Sequence, residues 1–464
     1  MAKYDVAIIG GGMGGCIAAA LLSKLGKKVI LLEQGPELSG RAMDFPYKDG
    51  YTLELGGHLI VDDGSGISRI CEYLGRPFEI GSDNDCLPFW KEDQWHYIED
   101  LYNIDKSEIK KIIKEIVNTD FEEFDKYDNI PVRTWLKART DNEGIITLYE
   151  TLSGLEFQTS DWWDNSASEF LWMRKCHYMN KQTAAYSYWP KGGPVKIIES
   201  LIDLIKSNGG EVRTNARTLE IVVDNYKVRG VKIQAPKLTP NEYPEPEMIE
   251  ADNVLSTVSI WSVMDIIPEN ILPNWYESKI KVLAQDIFRS SWIGFYAALD
   301  KPVYAKSPKE ISGWLDGPLT HQGGYYYLQS EIEPASAPEG KHLAICGSFV
   351  RNPLDMKNKK WLAEKMDLFE REMDIMLPEL KDSLWKSRHL VFDCSVFNKP
   401  GLVGTARPAN KCPNVEGLYF GGDGFQGRGC GLDRTSRTSL TCVELILGER
   451  IEELKDTPHI IPSK

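Results

Sequence analysis

The feature that most constrains the fold is residues 4–33, where two short apolar runs flank a glycine-rich turn and an Ala- and Leu-rich segment. The first run, residues 4–9, is rich in β-branched residues and is typical of a buried parallel strand. Residues 13–25 predict a helix, which Gly26 is placed to end. Residues 27–32 predict a second strand. Strand, turn, helix and strand in this order predict a Rossmann-type α/β fold.

The glycines of the turn have the GxGxxG spacing of a dinucleotide-binding site. Gly10 permits the tight turn, Gly12 lets a pyrophosphate approach the backbone, and Gly15 lets the helix pack closely on the strand. Glu33 lies 18 residues after Gly15 and is placed to accept hydrogen bonds from a ribose 2′-hydroxyl. No Arg or Lys follows Glu33 directly, which disfavours a 2′-phosphate. The alternative is a glycine-rich turn that binds nothing. The predicted contacts of this unit are Gly10, Gly12, Met13, Gly14, Gly15, Glu33 and Gln34.

The composition argues against several classes of partner. The 464 residues, 42% of them apolar, suffice for two or three domains or one large interleaved α/β body. A net charge of −14 argues against nucleic acid, anionic membrane surfaces and polyanionic substrates, although a local basic pocket could override it. No run approaches the ~18 to 20 apolar residues of a membrane-spanning helix, so we expect at most peripheral membrane contact.

The cysteine and histidine patterns predict a metal-free cytoplasmic protein. The nine cysteines are scattered without a CxxC pair, which indicates reduced thiols and no zinc site. The seven histidines form no HxxxH pair and no His/Cys cluster. The N-terminus runs directly into the first predicted strand, so we expect no cleavable signal. A homodimer is one assembly consistent with the sequence.

The middle of the chain has a sequence pattern different from that of the glycine-rich N-terminal unit. Residues 104–124 predict an amphipathic helix with one solvated face. Residues 152–189 are dense in aromatic side chains, which either form a core or line a flat apolar substrate cavity. Tyr186, Tyr188 and Trp189 are candidates for the substrate face, and core packing is the alternative.

Two features after Glu33 resemble a known family. The loop that follows Glu33 ends at Arg41, and a strand predicted over residues 51–57 ends in Gly56 and Gly57. Both are similar to the FAD-dependent amine oxidase and phytoene desaturase superfamily. The resemblance implies that Arg41 binds the FAD pyrophosphate and that the two glycines approach the isoalloxazine. The contacts that it adds are Gly40, Arg41, Gly56, Gly57 and His58.

Two further stretches resemble the same superfamily. Over residues 188–218, a Pro-x-Gly-Gly turn, a helix and a Gly-Gly-Glu strand precede Thr218. The resemblance places Thr218 where a backbone group meets the adenine. The Ala-Pro-x-Gly loop at 337–341 is similar to that of the desaturase and retinol saturase branch.

The C-terminal part contains a second predicted cofactor-binding segment. We call this segment and the one at residues 4–33 the two anchors. Residues 415–423 predict a strand that runs into Gly-Gly-Asp, and a glycine-rich loop and a helix over about 434–447 follow. The resemblance implies that Asp423 accepts a hydrogen bond from a ribitol hydroxyl. It also implies that the helix N-terminus points at the N1/O2 edge of the flavin. Two anchors so far apart indicate FAD, since a nicotinamide enzyme needs only the first. The contacts implied here are Gly422, Asp423, Gly431 and Leu432.

Three residues are candidates for a catalytic role. His58 could act as a base beside the glycines, and the alternative is a structural histidine bonded to the backbone. Arg428 and Arg434 could stabilise the anionic reduced flavin or hold a substrate carboxylate. Ion pairs with Asp423 or Asp433, or contact with solvent, are their alternatives.

The resemblance also implies a division into domains. Residues 1–75, 185–270 and 385–464 are expected to form a discontinuous FAD-binding domain. Residues 76–184 and 271–384 are expected to form an α+β substrate domain interleaved with it.

The family resemblance implies an enzyme that moves a hydride between a small apolar organic substrate and flavin N5. The loop at 337–341 favours C–C desaturation or saturation. The alternative is an amine oxidase that oxidises a C–N bond with oxygen as acceptor, for which Lys281 and Lys301 are candidates for a flavin-facing lysine. A flavoprotein that only binds or carries a ligand is a third interpretation. The direction of reaction and the electron acceptor are left open.

Overall fold

The protein is an α/β structure, seen here in a computed structural model. The structure describes residues 3–56, 60, 64–84, 87–102, 104–183, 186–234 and 244–458. No helix within these ranges is long and apolar enough to cross a membrane.

The described residues contain eighteen β-strands. In chain order these are β1 (Tyr4–Ile9), β2 (Val29–Leu32), β3 (Asp44–Pro46), β4 (Thr52–Glu54), β5 (Ile80–Asn84), β6 (Pro88–Lys91), β7 (Gln94–Tyr97), β8 (Ser187–Pro190), β9 (Glu211–Arg213), β10 (Thr218–Asp224), β11 (Lys227–Ile233), β12 (Glu247–Ser256), β13 (Arg289–Leu299), β14 (Ser312–Trp314), β15 (Gly324–Leu328), β16 (His342–Phe349), β17 (Trp385–Val396) and β18 (Leu418–Phe420).

Thirteen α-helices lie between these strands in the same part of the chain. They are α1 (Met13–Lys24), α2 (Ile67–Leu74), α3 (Ile98–Leu101), α4 (Lys106–Asn118), α5 (Val132–Lys137), α6 (Glu143–Phe157), α7 (Ala167–Met179), α8 (Pro194–Ser207), α9 (Ile260–Val263), α10 (Asn274–Leu283), α11 (Gln329–Ile332), α12 (Lys359–Met376) and α13 (Gly431–Leu447).

The first sheet has the N-terminal unit at its centre. Its parallel strands lie in the order β9-β2-β1-β12-β18, and the hairpin β10–β11 continues from β12 with antiparallel pairing. β1 is buried on both faces because α1, α8 and α13 cover one side and α9 and α10 cover the other. This strand order confirms the predicted Rossmann-type fold.

α1 is buried over almost its whole length. Eleven of its 12 residues are buried because the helix packs against the sheet, α8 and α13 at once. It ends at Lys24, one residue before the predicted end, and Gly26 has the left-handed φ of +78° that favours a helix-ending glycine. β2 begins at Val29, two residues later than predicted.

The second sheet has seven strands in the order β17-β13-β16-β15-β14-β6-β7. One face packs on α12, and the opposite face meets Tyr51, Leu53 and Trp189 through Tyr296 and Ala298 of β13. β17 pairs with β13 along most of its length. The segment that opens the predicted third FAD-binding stretch at residue 385 therefore belongs to the second sheet.

A cluster of helices, α4 to α7, follows β7 and precedes β8 in the sequence. The helix predicted over residues 104–124 is shorter, because α4 ends at Asn118 and a 3₁₀ segment follows over Phe121–Tyr127. Phe157 and Phe170 are buried in the core of this cluster. For these two aromatic residues of the 152–189 stretch the structure supports core packing.

Candidate functional site

The turn between β1 and α1 has the geometry that its glycines predict. Gly10 has a φ of +104°, in the left-handed region. A Cβ on Gly15 would lie 1.9 Å from the carbonyl oxygen of Gly10, so only glycine allows α1 to approach β1 this closely. At Gly12, by contrast, the nearest atom to a Cβ would be the Cα of Gly40, at 3.9 Å. The turn therefore leaves space beside the Gly12 backbone, as a pyrophosphate requires.

The first two residues after this turn pack against the C-terminal helix. The hydroxyl of Ser439 donates to the carbonyl oxygen of Gly14 at 2.9 Å, and a Cβ on Gly14 would lie 2.6 Å from a Thr435 methyl group. Met13 is buried in the same core. These contacts give both residues a packing role, and their contact with a cofactor stays a prediction.

Glu33 is held in place by the backbone of two neighbouring turns. Its carboxylate accepts hydrogen bonds from the N–H groups of Gly11, at 2.8 Å, and Gly35, at 2.7 Å. The N–H of Ala216 donates to the Glu33 carbonyl oxygen at 2.8 Å, which brings the start of β10 beside it. There, Oγ1 of Thr218 is buried without a hydrogen-bond partner among the described residues. The predicted ribose and adenine residues therefore lie next to each other.

The loop after β2 folds back over the glycine turn. The N–H of Ser39 donates to the carbonyl oxygen of Gly11 at 3.0 Å, and a Cβ on Gly40 would lie 3.3 Å from the Cα of Gly12. Gly40 has a φ of +57°, which lets the loop turn at this point. Gln34, at the start of the loop, is exposed. The loop carries Arg41 toward the C-terminal anchor.

Arg41 and Asp423 join the two predicted anchors. Nη2 of Arg41 lies 3.2 Å from Oδ1 of Asp423, although the two residues are 382 positions apart in the sequence. The Arg41 side chain is 44% exposed, so it faces open space as well as its partner. Oδ2 of Asp423 is buried and makes no hydrogen bond with the described part of the chain. Asp423 therefore retains an acceptor for a ligand hydroxyl.

Three arginines keep Asp423 charged. Burial would raise the pKa of Asp423, but Arg41, Arg407 and Arg434 together hold that pKa below its ordinary value. Arg407 is fully buried, and its guanidinium donates to the backbone carbonyl oxygens of Asp423 and Leu402. Burial lowers the pKa of Arg407 to about 9. No sequence motif marks Arg407, because it lies in an irregular loop.

Arg428 forms ion pairs with acidic residues of the helical cluster. It is 3% exposed, and its guanidinium lies 2.6 Å from Asp125, 2.8 Å from Asp128 and 3.0 Å from Glu169. Arg428 therefore forms ion pairs, as one of the alternatives expected, but its partners are not Asp423 or Asp433. The contacts fix the glycine-rich loop to the helices α4 to α7.

Arg434 lies in the first turn of α13 and also points into the protein. Its guanidinium donates to Oδ1 of Asn398 at 2.7 Å and to the carbonyl oxygen of Gly427 at 2.8 Å. Burial lowers the pKa of Arg434. Asp433 pairs instead with Arg437, at 2.7 Å. Through these hydrogen bonds Arg434 fixes the loop that leads into α13.

The C-terminal helix begins earlier than predicted, at Gly431 instead of near residue 434. Gly431 has a φ of +52°, and Leu432 packs at the edge of the core around α1. The N–H of Gly422 donates to the hydroxyl of Thr438 at 3.1 Å, so the Gly-Gly-Asp segment rests on the second turn of α13. The positive end of the dipole of this 17-residue helix lies at Gly431.

The strand β4 leads into the segment predicted to face the flavin. A Cβ on Gly56 would lie 3.8 Å from the carbonyl oxygen of Arg41, so Gly56 lies beside the Arg41 loop. Gly57 and His58 lie outside the described residues, and their roles stay predictions.

The candidates for the substrate face are largely core residues. Tyr188 is 2% exposed and Trp189 is fully buried. Tyr186 packs against the core around α1, with its ring 6.3 Å from that of Tyr188. These positions favour the core-packing alternative for Tyr188 and Trp189.

An aromatic surface that the sequence analysis missed lies on the second sheet. The ring of His389 stacks on Tyr296 at 5.0 Å and meets Trp292 edge-on at 4.6 Å. Tyr325 stacks on Tyr327 at 6.0 Å on β15, which is separated from β13 by β16. Only the order of strands brings β17, β13 and β15 together, so no local sequence pattern marks this surface.

The two lysines considered for an amine oxidase lie on the outside of the protein. The Lys281 side chain is 61% exposed and pairs with Glu277 of the same helix. Lys301 is exposed just after the end of β13.

Neither a disulfide nor a metal centre appears in the described ranges. The eight cysteines within them are free thiols, and seven of these are buried. No group of three or more His, Cys, Asp or Glu residues there is arranged to hold a metal ion.

Comparison with known proteins relates the chain to oxidoreductases. A family model described as an NAD(P)-binding Rossmann-like domain matches residues 8–74. The inactive all-trans-retinol 13,14-reductase of Danio rerio is 24% identical over 273 residues, which cover 48% of this chain and 43% of that protein. The chain thus spans less than half the length of this curated relative.

Two comparisons extend over nearly the whole chain. A 4,4′-diapophytoene desaturase (4,4′-diapolycopene-forming) of Methylomonas is 20% identical over 98% of this chain and 97% of its own length. The structure of putrescine oxidase bound to putrescine aligns with a TM-score of 0.64 at 15% identity, over 97% of this chain and 100% of that one. The chain therefore has the fold of the amine oxidase group, and the resemblance to the desaturase and amine oxidase superfamily is confirmed.

The residues of the site fit an FAD-type dinucleotide. Gly12 has open space beside its backbone, and the Glu33 carboxylate is fixed at the end of β2. Two buried oxygens, Oγ1 of Thr218 and Oδ2 of Asp423, lack partners in the described ranges. These features lie in the order in which adenosine, pyrophosphate and ribitol follow one another in FAD.

Proposed function

We propose that the protein is an FAD-dependent oxidoreductase that forms or removes a C–C double bond in a small apolar substrate. The observation that carries this proposal is the pairing of Arg41 with Asp423 beside the open backbone of Gly12. A nicotinamide site needs only the first glycine turn and its acid. A second anchor from the far end of the chain suits the longer FAD, whose ribitol extends past the pyrophosphate.

Bound FAD would supply the redox chemistry by exchanging a hydride with substrate at N5. The chain would contribute binding and charge. Glu33 would accept hydrogen bonds from the ribose, and the N–H groups at the start of α1 would face the pyrophosphate. Arg41 would share its charge between Asp423 and the phosphates, while Asp423 accepts a hydrogen bond from the ribitol through Oδ2.

The aromatic surface of the second sheet supports an apolar substrate. Trp292 and Tyr296 are packed inside the protein at 3% and 2% exposure, whereas the half-buried Tyr325 presents an accessible ring beside Trp292. Burial raises the pKa of Tyr296, Tyr325 and Tyr327 well above the ordinary value, so their hydroxyls stay neutral at physiological pH. A neutral, planar hydrocarbon is compatible with such a surface.

Two comparisons support C–C chemistry as the reaction class. The desaturase that aligns over nearly the full chain is named for acting on diapophytoene, and the partial relative is named as an inactive all-trans-retinol 13,14-reductase. The exposed positions of Lys281 and Lys301 remove the two candidates for a flavin-facing lysine.

An amine oxidase is the second candidate function. It is favoured by the fold shared with putrescine oxidase and by the aromatic surface, since aromatic faces also attract cations. In that case the substrate would be a primary or secondary amine, with oxygen as the electron acceptor.

The first test is the absorption spectrum of the purified protein, followed by air reoxidation after reduction with dithionite. We expect a flavin band that reoxidises over minutes, with turnover of a neutral polyene. Reoxidation within seconds together with turnover of amines would favour the amine oxidase. The absence of bound flavin after incubation with FAD would refute both functions.

A further inference from the structure

A buried carboxyl group, Glu54, lies next to the predicted flavin site. It ends β4, two residues before Gly56, and is 8% exposed. The hydroxyl of Tyr296 donates to the Glu54 backbone carbonyl oxygen, and Leu55 N–H donates to Met43 O at 2.8 Å. These contacts hold the carboxyl group between the aromatic surface of the second sheet and the Arg41 loop.

The contact between Glu54 and Gln329 suits a protonated acid. Nε2 of Gln329 donates to Oε1 of Glu54. Gln329 is fully buried, and its own Oε1 has no hydrogen-bond partner in the described ranges. A neutral carboxylic acid is both donor and acceptor, so its O–H can use this amide acceptor, whereas a carboxylate cannot.

The charges around Glu54 also oppose ionisation. Burial raises the pKa of Glu54 well above its ordinary value, and the nearby acids Asp44 and Glu333 raise it further, against the lowering effect of the Gln329 hydrogen bond. The ionisable groups that act on it or respond to it are Asp44 from β3, Glu333 after α11, Tyr296 from β13, and Tyr325 and Tyr327 from β15.

Glu372 is a second buried carboxyl group of the same protein, and it has more hydrogen-bond donors around it than are described for Glu54. It accepts hydrogen bonds from the N–H groups of Leu319 and Thr320, at 2.9 and 2.6 Å, and from the Thr320 hydroxyl at 2.9 Å. Three donors can replace much of the lost hydration of the anion. Glu372 is therefore a matched control for Glu54.

A small cavity provides a route for proton exchange. It has room for about one water molecule. Its walls are Ala42, Met43, Asp44, Glu54, Gly56, Pro194 and Val195. Because Asp44 is only half-buried, it can connect Glu54 with solvent.

We propose that Glu54 is a neutral carboxylic acid in the resting protein and that it donates or accepts the proton that accompanies hydride transfer. This proposal rests on the proposed function. In saturation, one alkene carbon takes the hydride of the reduced flavin and its neighbour takes the proton of Glu54. The C=C π bond is lost, two C–H bonds form, and the flavin is oxidised. In desaturation the hydride and the proton move in the opposite directions. Solvent restores the Glu54 proton through the cavity.

Infrared spectroscopy of the holoprotein tests this proposal without a substrate. We expect a carbonyl band of a protonated acid at neutral pH that shifts in D₂O, vanishes in Glu54→Gln and persists in Glu372→Gln. Reduction with dithionite places charge on the flavin, so the Glu54 band should also move in the reduced-minus-oxidised difference spectrum. Glu54→Asp, which keeps the acid, should restore a band if Glu54→Gln folds poorly.

Turnover of a polyene by Glu54→Gln should fall by about 10²- to 10⁴-fold, the usual range for loss of a general acid or base. The proposal is overturned if wild-type holoprotein lacks the band, or if the band does not respond to flavin reduction. Flavin binding without the band would contradict this inference alone. The band without any flavin binding would contradict the proposed function.

Discussion

Gly12→Ala separates the two roles that a glycine can have in the turn between β1 and α1. Gly12 has φ −79° and ψ −176°, a conformation that alanine adopts readily, and a Cβ there would come no closer than 3.9 Å to any other described atom. The substitution therefore adds no clash and restricts the unfolded chain. We expect the flavin-free protein to become about 0.4–1 kcal/mol more stable.

The same methyl group should weaken FAD binding, because it occupies the space where the pyrophosphate must approach. Overpacking by a methyl group costs roughly 1–3 kcal/mol. That free energy corresponds to a loss of about 5- to 150-fold in affinity. Gly12→Ala should thus stabilise the flavin-free protein and weaken the complex, which is an uncommon combination.

The assay is FAD titration by flavin fluorescence, together with denaturant unfolding of the flavin-free protein. Gly15→Ala is the matched control, because its Cβ would lie 1.9 Å from the Gly10 carbonyl oxygen. That control should destabilise the protein with or without FAD. Unchanged FAD affinity in Gly12→Ala would refute the placement of the pyrophosphate at this turn.

Three further predictions concern charged residues. Glu33→Arg should abolish tight FAD binding because it replaces the ribose acceptor, whereas Glu37→Arg, an exposed charge on the same loop, should bind normally in the same titration. Arg428→Met should cost about 3–5 kcal/mol in denaturant unfolding because it removes the closer cation from the buried Glu169 and leaves it with Arg434 at 4.0 Å, while the exposed Arg229→Met should change stability by under about 0.5 kcal/mol. Because Asp423 has a lowered pKa, its stabilisation is complete above its unfolded pKa of about 3.9 and is lost as pH falls through the folded pKa. The gap in unfolding free energy between wild type and Asp423→Asn should therefore be largest near neutral pH and shrink below about pH 4; a gap that grows in acid would contradict the sign of this shift.

The Rossmann-type half of the fold was predictable because its signals are local. A tight turn and a close helix contact each depend on residues near one another, so the structural roles of Gly10 and Gly15 could be predicted from the sequence. The ribose role of Glu33 stays a prediction. The boundaries of β1 matched the prediction, since an apolar run between polar residues leaves little freedom.

The charged part of the site was less predictable, because distant segments determine it. Arg428 reaches Asp125 and Glu169 only after the helical cluster packs on the glycine-rich loop, some 260 to 300 residues away in sequence. Arg407 lies in a loop without a pattern, and Glu54 becomes notable only once Gln329 is buried against it. Burial and pairing across the chain decide each of these roles, and neither is encoded in local spacing.

Arginines from three parts of the chain surround the buried Asp423, and a fourth, Arg428, fixes the glycine-rich loop before α13. Asp423 must stay ionised to pair with Arg41, yet it is buried, so it needs cations nearby. Arg41, Arg407 and Arg434 provide that charge. Arg428 has a different role, because it pairs with the acids of the helical cluster. Arg428 thereby attaches the glycine-rich loop to the helical cluster. Loosening that attachment should therefore weaken FAD binding even where no ligand contact is removed, which gives Arg428→Met a second readout beyond stability.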